Sequence, residues 1–393
     1  MLVHKYALMR RSPFVFLRGS CRMFYEDLAA GRDPPLDDAP PAWGCGDLHF
    51  ENFGSYKGDN RQTYFDLNDF DDGALSCATW ELVRFATSVL VAAPELDLTR
   101  RDARTQAGAF IDAHQRALAA GRARWIERDV ATGVVRALLD RERHRKRKQL
   151  LRRRTVGEGA SRRLRVDGDH MTPAGRDDIR RVRAFVQGLT PPAEAPRFYQ
   201  VLDVAHRVAG TGSLGVRRFE VLVVGRGREK QYLLDLKEAA SASLGALGGV
   251  AQPAWNNEAE RVVGVQERVQ AVSPALLRTA RIGGRMYVLR ELQPREDRVQ
   301  LAEWCDRPRL LTGVMETFGE VAASGRLRAS GRQGAAVADE LIAFGNDRRV
   351  RRRVLEAAHA AAQRIDRQYA EFVAELDDEG LVAVPPLRRR RPL

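Results

Sequence analysis

Cysteine is scarce in this sequence. Four residues, Cys21, Cys45, Cys77 and Cys305, are scattered over 393 positions with no C-x-x-C spacing. That argues against a disulfide framework and a cysteine-based zinc site, and it suits a reducing cytoplasm, where we expect the protein to reside. Long apolar runs are missing too. The longest candidates, such as ATSVLVAA at 86–93, fall well short of the roughly 20 residues a bilayer-spanning helix needs. The first twenty residues hold no sustained apolar stretch or small-residue cleavage site, so no signal peptide is expected. No internal repeat is visible. Aromatic residues are only 7% of the chain and do not interleave with its basic runs, which leaves those runs little with which to stack bases.

What the chain has in excess is positive charge, a net +13. Much of it is local, in RERHRKRKQLLRRR at 141–154, SRRLR at 161–165 and RRRR at 388–391. Such runs either attract an anionic partner or nucleic acid, or form a solvated helix face and a tail. The length and a hydrophobic content of 44% allow a large core divided into regions. Residues 1–130 carry acidic motifs between helices, 131–195 form a basic helical insertion or linker, and 196–295 alternate like strands. Residues 296–376 return to helix, and 377–393 are a basic tail. Ser12-Pro13 suits a helix start, with serine as N-cap and proline in the first turn. CATWELVRFATSVLVAA has the apolar spacing of a core helix, and RMYVLRELQP at 285–294 resembles an edge strand leading to a hinge.

Two stretches concentrate chemistry. In GCGDLHFENFG (44–54) and YFDLNDFDDG (64–73), Asp47, His49, Glu51 and Asn52 are followed closely by Asp66, Asp69, Asp71 and Asp72. Crowded carboxylates call for a compensating cation, although Asn and Asp also crowd turns for local reasons. Cys45, beside the first motif, reads as a small buried thiol. The second stretch, HRVAGTGSLGVRRFEVLVVGRGREKQYLLDLKEA (206–239), contains a G-x-G-x-x-G with Gly210, Gly212, Ser213 and Gly215. A dinucleotide-binding fingerprint must open a helix, but VRRFEVLVVG is strand-like. Strand, glycine loop, strand, turn and lysine-bearing strand is instead how protein kinases cover phosphates, which makes Lys237 the phosphate-gripping lysine. Glu258, Glu260 and Glu267, on a helix over 256–272, are alternative partners for that lysine.

Asp47 and Asn52 stand five apart, the spacing of the kinase catalytic loop, where a base faces the acceptor and an amide oxygen faces the metal. Gly46, Asp47, His49 and Asn52 resemble the H-G-D-x-H-x-x-N loop of aminoglycoside phosphotransferases and choline kinases, with Cys45 in place of the first histidine. NDFDDG is similar to the metal-binding segment of the same superfamily. By that resemblance Asp69, or alternatively Asp66, binds Mg²⁺, and Asp71 adds a further contact. The whole pattern also resembles a bacterial family of unknown function, family 2252. It is carried by SPFVFLRG, GDLHFENFG, FDLNDFDD, GTGSLG, LDLKEA, RVVGVQERVQ and YVLREL. Arg18, in FLRG, could reach a phosphate or be structural.

These resemblances imply an α+β, protein-kinase-like two-lobed fold in permuted order, with the catalytic helical lobe first and the glycine-loop sheet later. They imply a phosphotransferase using ATP or GTP with Mg²⁺ on a small hydroxylated acceptor. Nucleotidyl transfer, a non-catalytic nucleotide-binding role, and nucleic-acid binding through 141–165 are the alternatives.

Overall fold

A computed structural model describes residues 2–31, 36, 38–144, 147–168, 170–208, 215–226, 230–245, 247, 249–292 and 298–378. It opens with three helices, α1 (Leu2–Met9), α2 (Pro13–Gly19) and α3 (Cys21–Ala30). The Ser12 hydroxyl caps α2 by accepting the Val15 N–H at 3.2 Å, and Pro13 stands in the first turn, as the sequence suggested. Strands β1 (Pro41–Gly44), β2 (Phe53–Lys57), β3 (Thr63–Leu67) and β4 (Ala74–Cys77) follow, then helices α4 (Ala78–Val91) and α5 (Arg100–Ala119) and the short strand β5 (Ile126–Glu127).

Pairing among these strands is the first determinant of the site. β1 pairs with β4, and β2 pairs with β3, both antiparallel. The connection from β1 to β2 and the turn from β3 to β4 therefore cross at the same end of the two ladders. Those two connections are the GDLHFEN loop and the NDFDDG turn.

The middle of the chain holds α6 (Gly133–His144), α7 (Arg147–Arg154), β6 (Thr155–Val156), β7 (Arg163–Leu164), β8 (Met171–Pro173) and α8 (Arg176–Gln187). Next come β9 (Val201–Arg207), β10 (Arg218–Val223), β11 (Tyr232–Glu238), α9 (Glu258–Val269), β12 (Arg278–Ile282) and β13 (Arg285–Glu291). Six of these strands form one antiparallel sheet in the order β12-β13-β11-β10-β9-β8. The segment expected to be a basic linker thus supplies β8, and α8 packs over the same sheet through Val182 and Val186. β13 is not the edge strand expected of RMYVLRELQP. It lies between β12 and β11, because the Gly283–Gly284 turn folds β12 back along its outer side.

The chain closes with α10 (Pro308–Ala329), α11 (Ala338–Gly345) and α12 (Val350–Asp378). α5 packs against α10, α11 and α4, and α12 lies along α4. α4 is buried on nearly all sides, and its Phe85 stacks on Phe110 of α5 with ring centroids 3.6 Å apart. The result is an α+β protein. A helical body bears the two acidic connections, and a mainly separate antiparallel sheet carries Lys237 against them. No described helix is long and apolar enough to cross a membrane.

Candidate functional site

The two acidic connections are locked together at Gly46. Its φ is +80°, and a Cβ there would fall 1.8 Å from the Asp72 carbonyl oxygen, so only glycine fits. The Gly46 N–H donates to Glu81 Oε1 at 2.6 Å, and the Tyr25 hydroxyl donates to its carbonyl. Beneath, Glu81 Oε2 pairs with Arg326 of α10 at 3.3 Å, and Arg326 reaches His114 Nε2 at 3.0 Å. All these groups are buried, so each must be partnered to tolerate its surroundings.

Asp47 follows this anchor. Its Oδ1 accepts from Arg84 Nε at 2.8 Å and Nη2 at 2.6 Å, while the carboxylate stays 21% exposed. The Arg84 side chain is fully buried and lies over the rings of Phe24 and Tyr25. His49 Nδ1 accepts the Glu51 N–H at 3.1 Å, which puts the ring proton on Nε2, 3.8 Å from Asp47 Oδ2. Burial, reinforced by Arg18 and Arg84, holds the His49 pKa well below its usual value and keeps the ring neutral. Arg18 is taken up by Glu51 at 2.5 Å.

Asn52 stands at the junction. Its Nδ2 donates to the carbonyls of Asp47 at 3.1 Å and Asp69 at 3.2 Å, which fixes the amide orientation. Its Oδ1 is buried and has no hydrogen-bond partner among the described residues. A buried acceptor left without a donor costs about 1–3 kcal/mol, so the position fits a hard cation. Asp69 is the carboxylate next to it. Its side chain is 37% exposed, its Oδ1 takes only a 3.4 Å bond from the Asp71 N–H, and Oδ2 lies 3.7 Å from Lys237 Nζ. Lys237 also contacts Asp71 Oδ2. Burial pushes Asp69 upward, but Lys237, Arg290, Arg298 and Arg218 together hold it well below the usual carboxylate range. Asp71 moves the other way, raised by burial and by the charge of Asp69.

Of the residues expected at the site, Asp47, His49, Asn52, Asp69, Asp71 and Lys237 come together. Asp66 does not share the open face. Its Oδ2 pairs with Arg328 of α10 at 2.9 Å and its Oδ1 takes the Leu67 N–H at 2.9 Å, so both oxygens are engaged. Nor does an α9 glutamate pair with Lys237 among the described residues. Glu260 turns back to Asn256 Nδ2 at 2.7 Å at the start of α9, and Glu258 pairs with Arg261. Gly210, Gly212 and Ser213 lie outside the described residues. Gly215 is described, exposed, with φ +114°.

Sequence reasoning passed over several residues that build the site. Glu81 and Arg84 are charges inside the apolar run of α4, and that interruption was the available signal. Arg261 donates to the carbonyls of Gly73, Asp71 and Ala240, stapling α9 to the acidic turn. Cys21 Sγ gathers with oxygens of Asp47 and Asp72 within 4.8 Å, and burial raises its pKa well above the usual value.

Fold and site define an α+β protein in which an aspartate-rich turn and a buried asparagine oxygen face a lysine carried on an antiparallel sheet. The chain belongs to the family DUF2252, described as an uncharacterized protein conserved in bacteria, whose model matches residues 1–375. No curated protein and no solved structure matches the chain.

Proposed function

We propose that this protein is a magnesium-dependent phosphotransferase of kinase-like architecture, using ATP or GTP on a small hydroxylated acceptor. The observation that carries the reading is the unpartnered buried Oδ1 of Asn52 beside the incompletely bonded carboxylate of Asp69, with Lys237 facing Asp69 and Asp71 of the turn. Asn52 and Asp69 would hold Mg²⁺, which supplies neutralisation of phosphate charge when bound. Lys237, placed opposite Arg218 in the sheet register, grips phosphate oxygens once it leaves the aspartates. Asp47 is anchored through one oxygen by Arg84, so its other oxygen orients the acceptor hydroxyl and takes its proton. Neutral His49 steadies that oxygen from the far side. In this reading the sheet with α9 forms the small lobe, and α4, α5 and α10–α12 form the large lobe, with the catalytic segment first in the chain.

The test is product analysis. Incubation with ATP or GTP, Mg²⁺ and pools of hydroxylated metabolites should yield the nucleoside diphosphate and a phosphorylated acceptor, and Asp47→Asn should lose that product. Release of pyrophosphate instead would indicate nucleotidyl transfer. Absence of any nucleotide turnover across broad acceptor pools would leave the proposal without its central activity and favour a binding role.

A further inference from the structure

The face of the large sheet that carries Lys237 also carries a cluster of arginines with too few acids to match them. Alternation along the strands sends Arg218 and Glu220 of β10, Asp235 and Lys237 of β11, and Arg290 of β13 to this face, while Phe219, Val221, Leu234, Leu236 and Leu289 pack under α8 on the other. Asp235 is buried and receives three guanidinium groups. Arg218 Nη2 is 2.5 Å away, Arg207 Nη1 3.0 Å and Arg290 Nε 3.7 Å. Arg154 of α7 adds a fourth, 3.4 Å from the fully buried Glu220. Four guanidinium groups thus surround two carboxylates.

Burial, with a smaller contribution from Arg218, lowers the Arg207 pKa to about 10. For Arg218, burial is outweighed by Asp235 and the pKa is raised, so Arg207 is the less compensated of the two. The cluster faces the acidic turn: Arg290 Nη1 donates to the Asn68 carbonyl at 3.1 Å, and Arg218 lies opposite Lys237, which meets Asp69 and Asp71. The side chains of Arg207, Arg218 and Arg290 retain 10%, 12% and 14% of their exposure, so part of each remains in contact with solvent. Guanidinium groups match phosphate oxygens in charge and in fork geometry.

We propose that Arg207, Arg218 and Arg290, organised by Asp235, form an anion subsite for the phosphate chain of a polyphosphate ligand, beyond the grip of Lys237. In naming a nucleoside triphosphate as that ligand the inference rests on the proposed function, but the subsite itself is testable apart from any nucleotide. A divalent ion on Asp69 and Asn52 would withdraw the Asp69 charge from Arg218 and Arg290, so metal and polyphosphate would strengthen each other's binding.

The probe is inorganic tripolyphosphate, titrated calorimetrically into the full chain with and without Mg²⁺. Arg207→Gln should weaken binding at least tenfold in both conditions, and Arg207→Lys should recover part of it. Arg290→Gln provides a second variant should Arg207→Gln fail to fold. The exposed arginines of α7, changed as Arg152→Gln with Arg153→Gln, should leave the affinity unchanged. No binding by the unaltered protein, equal binding by Arg207→Gln or Arg290→Gln, or a loss matched by the α7 double variant would each overturn the inference. Binding that needs Arg207 but ignores Mg²⁺ and Asp69 would support the subsite and count against the phosphotransferase reading. Binding that needs Mg²⁺ and Asp69 but ignores Arg207 would do the reverse.

Discussion

Asp66 and Asp69 lie three residues apart and live in opposite conditions. Asp66 faces the helical body, where Arg328 and the Leu67 amide fill its oxygens. Asp69 faces the sheet, where one weak amide contact and a distant lysine leave its oxygens available. The same division runs through the whole site. Below the loop, Glu81, Arg326 and His114 form a connected buried network. Above it, Asn52 Oδ1 has no partner among the described residues, and the Asp69 carboxylate beside it has one long amide bond and Lys237 at 3.7 Å. A folded protein can sustain such an unsatisfied layer only if a well-bonded one holds it in place. The first layer is a brace, and the second is where the proposed function places the ligand.

The largest effect should come from breaking the brace. Arg328→Ala would leave Asp66 buried without its cation and also remove bonds to the Val269 and Arg124 carbonyls, costing about 3–5 kcal/mol in urea denaturation. A cost below about 1 kcal/mol would mean that Asp66 is not held as a structural charge.

A smaller effect is expected from pH. Burial depresses the pKa of both His49 and His114, so the unfolded chain binds more protons than the folded one as pH falls below the ordinary histidine value. Their contribution to stability is complete above about pH 6.5 and declines at about 1.4 kcal/mol per pH unit for each ring below it. His114→Gln keeps an acceptor for Arg326 and should remove about one proton from the slope of stability against pH. An unchanged slope between pH 6.5 and 5 would show that His114 takes up no proton on unfolding there.

The smallest stability change should come from the open layer. In Asp69→Asn the attraction of Lys237, Arg290, Arg298 and Arg218 is lost and only partly offset by relief of the repulsion on Asp71. Solvent screens the remainder at a side chain 37% exposed, so the fold should lose about 1 kcal/mol. Chemical denaturation checks this, and a large destabilisation would move Asp69 into the brace.

Much of this was legible in the sequence. That the Asp47–Asn52 loop and the acidic turn would meet could be read from their closeness in sequence, because short connections between paired strands keep near neighbours together. The succession of strands β9, β10 and lysine-bearing β11 was also legible, because side-chain alternation is local. What was not legible depended on distant partners. Nothing near Asp66 in sequence announces Arg328, and nothing near Lys237 shows that it would meet Asp71 rather than Glu260. The position of β13 depended on how β12 folded back, which strand composition alone does not determine.

The most direct test of the proposed magnesium-nucleotide site is a thermal shift of the full chain with ATP or GTP, with and without Mg²⁺, run beside Asp69→Asn. A stabilisation by nucleotide that requires Mg²⁺ and disappears in Asp69→Asn, with the variant's own melting point nearly unchanged, is the expected result. Stabilisation that persists undiminished in Asp69→Asn, or none by either nucleotide in a folded sample, would contradict it.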